Sequence, residues 1–304
     1  MRKTIRTTFM AAIITSTVIL SMSFTGCEKK SAKVSAESSS TESKALQRIK
    51  KAGVWKIGSS GDVYAYIDQK TGEFSGIDAE ICKAVAEKLG IPKVEMVLIP
   101  FSELILNLNN GNIDMIADGM YTTAVRAKQI YYGDIWYTQG AALMIPESSS
   151  IKNENDFDPK KTRVGYTSGT IWQKEVENWV KQGLIKEAVS TGLQADSLVA
   201  LQYGKVDAFL TDYPAIEELV AKAPEQLNGL KFAPEFKDKP ETLGRIAPSV
   251  KFADKDFMEE VNKAVYELRA EGKLEPMFRK CFLDPAHYMI TNSEEDRANG
   301  VNIQ

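Results

Sequence analysis

Arg126 is the residue in this chain best suited to hold a charged guest. In DGMYTTAVRAKQI (118–130) it follows the turn-forming Gly119 and Thr122-Thr123, and the pattern predicts a helix from about Ala124 with Arg126 in its first turn. A helix start carries partial positive charge and prefers an anion, at roughly 0.3–1 kcal/mol per charge. A guanidinium placed there either leans into solvent or shares with the helix end a negative group that is not part of the protein. Asp62, Glu103 and Asp212 offer the opposite chemistry, either as partners for a cation or as the acid or base of an enzyme. The sole histidine, His287, leaves little basis for a His-built metal site or for a Ser-His or Cys-His nucleophile. No metal and no other cofactor is expected.

These residues need a scaffold, and the chain alternates strand-like and helix-like runs, the pattern of an α/β fold. VWKIGSS reads as strand, IDAEICKAVAEKLG as helix ending at Gly90, VEMVLI as strand, FSELILNLNNG as helix closed by Gly111, and IDMIAD as strand. A second series runs RVGYTSG (strand), TIWQKEVENWVKQG (helix), SLVALQYG (helix) and VDAFLTD (strand). Within the two series, LNNGNIDMIADG (108–119) and LQYGKVDAFLTD (201–212) align at one offset. Gly111 pairs with Gly204, Asp114 with Asp207, and Gly119 with Asp212. The last pair falls just past the carboxyl ends of equivalent strands, where open α/β sheets bind ligands. Two similar lobes with facing mouths follow from this.

Residues 1–26 read as a secretory signal: Arg2, Lys3 and Arg6, then an apolar run from Phe9 to Phe24. FTGC ends at Cys27 and resembles a bacterial lipobox, although Phe24 stands where Leu is usual. Cys27 would then be the acylated first residue of the mature protein. The polar, Ser-rich stretch that follows, over 27–43, reads as a flexible tether. Loss of residues 1–26 removes three basic and no acidic residues, taking the formal charge from -3 to -6. That balance leaves no footprint for nucleic acid. Cys82 and Cys281 are the other two thiols; export permits a disulfide between them, while Cys82 also suits a buried helix face.

The chain resembles the extracellular solute-binding proteins of amino-acid ABC importers, the polar amino-acid family, over about residues 50–283. The resemblance rests on GIDAEICKAVAEKL (76–89), with Ala79 where a larger apolar residue is usual. It rests also on PFSELILNLNNGNIDMIADGMYTTAVR (100–126), and on VGYTSGT and VDAFLTD. It implies two α/β lobes in the type II periplasmic-binding arrangement, joined by two hinge strands near YTQGAA (137–142) and LKFAPEF (230–236). Lobe one is then 44–138 plus 234–290, lobe two 139–233, and 291–304 a loose tail. Implied partners are a small zwitterion, ABC permease and ATPase subunits, and the membrane through Cys27. The protein would be a monomer on the extracellular face.

Residue by residue, the resemblance assigns Arg126 to the ligand α-carboxylate, for which a planar guanidinium suits a bidentate grip. The backbone amides of TSGT (Thr167, Ser168, Gly169, Thr170) would complete the carboxylate shell, with Ser168 or Thr170 also able to cap the next helix. Asp212 would pair with the ligand ammonium or cap the helix that Pro214 opens. Gly119 would offer its carbonyl to the same ammonium, and Thr123 would either bond the carboxylate or cap its own helix. Phe101 and Tyr64 would pack on the guest, and Asp62 would add negative charge. Tyr121 departs from the family's usual Thr and resembles the subgroup that binds ectoine and related compatible solutes, where a ring beside a cation gains cation–π attraction. Trp172 reads as packing with Trp179, or as a ring closing over the guest. The alternative reading is an enzyme on the same fold, such as a cyclohexadienyl dehydratase using Asp62, Asp212 or Glu103. A sensor module feeding a kinase is the third class.

Overall fold

Strand periodicity and glycine-closed helices become two sheets of the same design. A computed structural model describes residues 42–237 and 244–289. The signal segment, Cys27, nearly all of the tether and the 291–304 tail lie outside the described residues. In chain order the first elements are α1 (Lys44–Ala52), β1 (Trp55–Ser59), β2 (Tyr66–Ile67), β3 (Phe74–Ser75), α2 (Ile77–Leu89) and β4 (Val94–Leu98). Next come α3 (Leu104–Asn109), β5 (Met115–Ile116), β6 (Tyr131–Tyr132), β7 (Tyr137–Gln139) and β8 (Ala141–Pro146). Then follow β9 (Arg163–Thr167), α4 (Ile171–Lys181), β10 (Glu187–Thr191), α5 (Gln194–Gln202), β11 (Ala208–Asp212), α6 (Tyr213–Lys222) and β12 (Leu230–Phe232). The described chain closes with β13 (Gly244–Ile246), β14 (Ser249–Val250), α7 (Lys255–Ala270), α8 (Leu274–Lys280) and α9 (Pro285–Tyr288).

The first sheet has the order β4-β1-β5-β14-β6 and the second β10-β9-β11-β8-β12. In each, the first three strands run parallel and the fourth is antiparallel to the third. Registers set Ile57 beside Met115 in one sheet and Ala208 beside Val164 in the other. One helix per sheet packs in the same manner. Leu104 and Leu108 of α3 join Ile113 and Ile116, and Leu198 and Leu201 of α5 join Val206 and Phe209. Each such leucine contributes about 1.5–3 kcal/mol when fully buried. At α2 the acidic Asp78 and Glu80 occupy the first turn, and Gly90 ends the helix in the left-handed region, its N–H on the Ala86 and Glu87 carbonyls.

The lobes are linked through an antiparallel pair, β7 with β13, in which Tyr137 faces Ile246 and Gln139 faces Gly244. The first crossing lies where YTQGAA is expected. The second returns later than LKFAPEF, because 230–232 is still a strand of the second sheet, paired with β8. Away from the crossings, Lys222 of α6 reaches the other lobe, 3.0 Å from the Tyr66 hydroxyl and 5.4 Å from the Tyr66 and Phe282 rings. Gly169 sits so close to Ser102 that an added Cβ would lie 2.7 Å from the Ser102 Cα. The lobes are therefore shut on one another.

One expectation is corrected, and the thiols take the buried of their two readings. No α-helix starts near Ala124; Arg126–Lys128 form one short 3-10 turn before the chain extends into β6. The helix-dipole argument for Arg126 falls with it, since a single turn aligns too few peptides. Cys82 and Cys281 are both free and buried, with burial pushing both thiols up.

Candidate ligand-binding site

A space of about 390 Å³, counting what opens to solvent, lies between the carboxyl ends of β1 and β5 and those of β9 and β11. Asp62, Tyr64, Phe101, Gly119, Tyr121, Arg126, Thr167, Thr170 and Asp212 all line it. Thr123 is outside the lining: its hydroxyl accepts from the Arg126 N–H at 3.2 Å, so it caps its own turn. Glu103 is exposed and also lies outside, so of the three candidate carboxylates of the enzyme reading Asp62 and Asp212 face the space.

Arg126 is 9% exposed, and among the described residues no carboxylate forms an ion pair with it. Nη1 donates to the Tyr121 carbonyl at 2.7 Å and Nη2 crosses the cleft to the Gly169 carbonyl at 2.8 Å. Its guanidinium carbon stands 5.3 Å from the centre of the Phe101 ring. Burial pulls its pKa below the usual value, with Tyr132 and Asp212 opposing. A buried guanidinium held by two neutral carbonyls, the Tyr132 hydroxyl and the Phe101 ring lacks a full counter-charge, and a carboxylate would stabilise it more strongly than they do.

Asp212 precedes α6 without capping it; no N–H of that helix bonds its side chain. Instead Oδ1 accepts from the Trp172 indole N–H at 2.8 Å, and the Tyr121 hydroxyl adds a further bond. Burial pushes its pKa up to about 7 despite both donors. Trp172 is thus a wall of the cleft, edge-on to Tyr121 at 5.6 Å, whereas Trp179 packs on Phe157. Tyr121 is fixed from behind: it bridges to Ile246, and a Cβ on Gly244 would meet its ring at 1.4 Å.

The TSGT amides are already engaged. Ser168 N–H donates to the Thr191 carbonyl (2.9 Å), Gly169 N–H to Gln173 Oε1 (3.0 Å) and Thr170 N–H to the Thr167 carbonyl (3.3 Å). The expected amide shell is not offered in this closed geometry, because the loop satisfies its own donors. Neither Ser168 nor Thr170 caps α4 through its side chain. The Gly119 carbonyl accepts only a long bond from Gln139 (3.5 Å), and its N–H donates to Asp78 at 2.8 Å.

Sequence reasoning missed Asp118, Ile171, Gln194 and Thr211, which also line the space. Asp118 was within reach of inference, for it adjoins Gly119 at the end of β5. Its carboxylate accepts from the Ser60 N–H (2.8 Å) and contacts the Ser59 and Ser60 hydroxyls (both 2.6 Å), while burial raises its pKa well above the usual range. Three acids, Asp62, Asp118 and Asp212, therefore share one space with one guanidinium. Among the described residues, no three His, Cys, Asp or Glu side chains gather as a metal site requires.

Comparison with known proteins agrees with this architecture. A probable histidine-binding protein of Campylobacter jejuni is 24% identical over 255 residues, covering 83% of this chain and 93% of its own length. A glutamine-binding protein of Geobacillus stearothermophilus is 27% identical over 229 residues, covering 68% and 86%. The solved structure of an ancestral arginine-binding protein bound to arginine superposes with a TM-score of 0.66 at 26% identity, covering 76% of this chain and 98% of that one. The two-lobed α/β architecture is the type II periplasmic-binding fold. The profile of family 3 matches residues 55–284, and the chain belongs to the bacterial extracellular solute-binding proteins, family 3.

Proposed function

We propose that this protein captures an amino acid or related zwitterion between its lobes and delivers it to an ABC permease driven by its ATPase subunits. The observation that carries the reading is Arg126, a buried guanidinium without an acid partner, set in the same space as Asp212. A zwitterion's carboxylate would replace the carbonyls on Arg126, and its ammonium would sit against Asp212, Trp172 and Tyr121. Phe101 and Tyr64 would flank the guest, and the Tyr121 ring suits an alkylated or delocalised cation such as that of an ectoine. Nothing in such capture requires bond making, so the protein acts as a carrier rather than an enzyme. Opening of the β7–β13 hinge would release the guest. The chain would work as a monomer on the outer face of the membrane, held by acylated Cys27 and its tether. Among the described residues no helix is long and apolar enough to cross a membrane.

Thermal shift against amino acids, ectoines and betaines tests the reading, since a guest at a hundredfold excess over its Kd adds about 2.7 kcal/mol of stability. Arg126→Ala should abolish the shift and the calorimetric binding signal while the variant still melts cooperatively. Unchanged affinity in that variant would refute the role.

A further inference from the structure

Beside the Arg126–Asp212 pair stands a second polar unit whose hydrogen count does not close. The Ser59 hydroxyl lies 2.5 Å from the Ala65 carbonyl and 2.6 Å from Asp118 Oδ1. A carbonyl can only accept, so the single Ser59 proton goes there or to Asp118, not to both. The Ser60 hydroxyl is likewise shared, 2.6 Å from Asp118 Oδ2 and 3.0 Å from Asp62 Oδ2. Two hydroxyl protons thus serve four acceptor contacts. One added proton on Asp118 closes the Ser59 side: the Asp118 O–H donates to Ser59 and Ser59 donates to Ala65, while the single Ser60 proton serves one of the two acids at a time.

A second observation points at a guest. The Tyr64 hydroxyl is buried, with its residue 2% exposed, and has no hydrogen-bond partner, although Tyr64 lines the same space as both acids. The groups around the pair are largely acidic or neutral. Asp212 faces it from the second lobe, Tyr64, Tyr121 and Tyr137 from the first lobe and hinge, and Asp78 lies behind at the start of α2. Arg126 is the cation of this space and is engaged elsewhere.

We propose that Asp62, Ser60 and Asp118 form a proton-exchanging cation subsite, which holds a shared proton while the cleft is empty and gives it up when a positively charged group of the guest takes its place. The guest class is a zwitterion with a further cationic end, its N–H groups donating to the two carboxylates and to the Tyr64 oxygen. The released proton passes to solvent. This rests on the cleft being the guest site. Burial supports it, raising Asp62 to about 6 and Asp118 well above the usual carboxylate range. Near pH 7 a cationic guest should displace one proton more than a neutral guest, so the ratio of their affinities should rise about tenfold per pH unit. Below about pH 6 Asp62 is also protonated, and the slope should steepen.

The test uses L-arginine as cationic probe and L-glutamine as neutral probe, titrated calorimetrically at pH 5.5, 6.5 and 7.5 in buffers of different ionisation enthalpy. Asp118→Asn is the variant, because an amide N–H can donate to Ser59 as the protonated acid does, and a thermal melt checks its fold. The expected result is greater proton release with L-arginine than with L-glutamine in the wild type, since the ammonium of either probe displaces the proton of Asp212, and loss of that difference near pH 7 in the variant. L-Arginine binding with no more proton release than L-glutamine overturns the proposal. L-Glutamine binding alone, equal in both proteins, overturns the subsite and leaves the zwitterion reading standing. No binding of either probe to either protein counts against both. Carboxyl-carbon NMR of the empty protein gives a readout without a guest: an acid titrating well above the usual carboxylate range and absent from the variant is expected, and its absence overturns the proposal.

Discussion

Residues 108–119 and 201–212 are two copies of one structural phrase with different last words. In both, a glycine ends the helical turn in the left-handed region, Gly111 at φ 76° and Gly204 at φ 63°. In both, an aspartate then clips the neighbouring parallel strand. Asp114 Oδ2 accepts from the Lys56 N–H at 3.0 Å, and Asp207 Oδ2 from the Arg163 N–H at 2.8 Å. The reciprocal backbone bonds are also present, Asp114 N–H to the Lys56 carbonyl and Asp207 N–H to the Arg163 carbonyl. At the cleft the copies part. One ends in Gly119 at φ 58°, where a Cβ would strike the Tyr64 ring at 2.4 Å; the other ends in the carboxylate of Asp212. Scaffold chemistry is repeated because both sheets need the same strand pairing. Tip chemistry differs in kind, a bare backbone against a ring on one face and a carboxylate on the other, which under the proposed function would meet different parts of a guest.

The comparison can be broken most forcefully at Asp212. Asp212→Ala should cost about 2–5 kcal/mol of binding to whichever zwitterion the thermal screen identifies. It should also remove a pH dependence. The folded-state pKa of Asp212, about 7, lies above its unfolded value, so the empty wild type loses stability as pH rises toward 7. Melting curves at pH 5 and pH 7 should show the variant gaining on the wild type at the higher pH; a constant difference would contradict a buried, desolvated acid.

Gly119→Ala is next in size. A left-handed backbone and the overlap with Tyr64 together should cost roughly 2–4 kcal/mol of stability by denaturant titration. A smaller loss would mean that the Tyr64 ring moves aside easily.

The matched aspartates sharpen the comparison at the smallest scale. Asp207→Asn should cost about 1 kcal/mol, and Asp114→Asn no more than that, because Arg163 grips Asp207 with both Nε (3.1 Å) and Nη2 (3.0 Å). Arg163 holds the Asp207 pKa below the usual range. Its contribution is therefore present above that range and fades as pH falls through the depressed value. The two variants compared by urea titration at pH 7 and pH 3 should converge in acid.

Much of this was legible in the sequence because it depends on local order. The glycine-to-aspartate spacing, the alternation of strand and helix, and the helix closing at Gly90 follow from backbone conformation and periodicity over a dozen residues. Asp212 was legible because its repeat places it at a strand end, and Arg126 because a guanidinium follows a turn there, whereas Phe101 and Tyr64 came from the family resemblance alone. The helix after Thr123 was misread: turn-forming residues and a following run of helix formers look alike whether the chain turns once or several times. Asp118 was passed over because an acid next to a strand end reads as solvated until its burial is known. Trp172 stayed between packing and the cleft because spacing from Trp179 says nothing about which ring meets Asp212.

Sequence alone determined two repeated α/β halves and which side chains stand at their strand ends, since these depend on periodicity and neighbours along the chain. Tertiary structure decided which of those groups are spent and which are free. It closed the TSGT amides on their own loop, left Arg126 without an acid and put Asp62, Ser60 and Asp118 within one hydrogen-bond network. Such outcomes hinge on burial and on distances of about 3 Å between segments dozens of residues apart, where a missing partner costs more than any local preference can reveal.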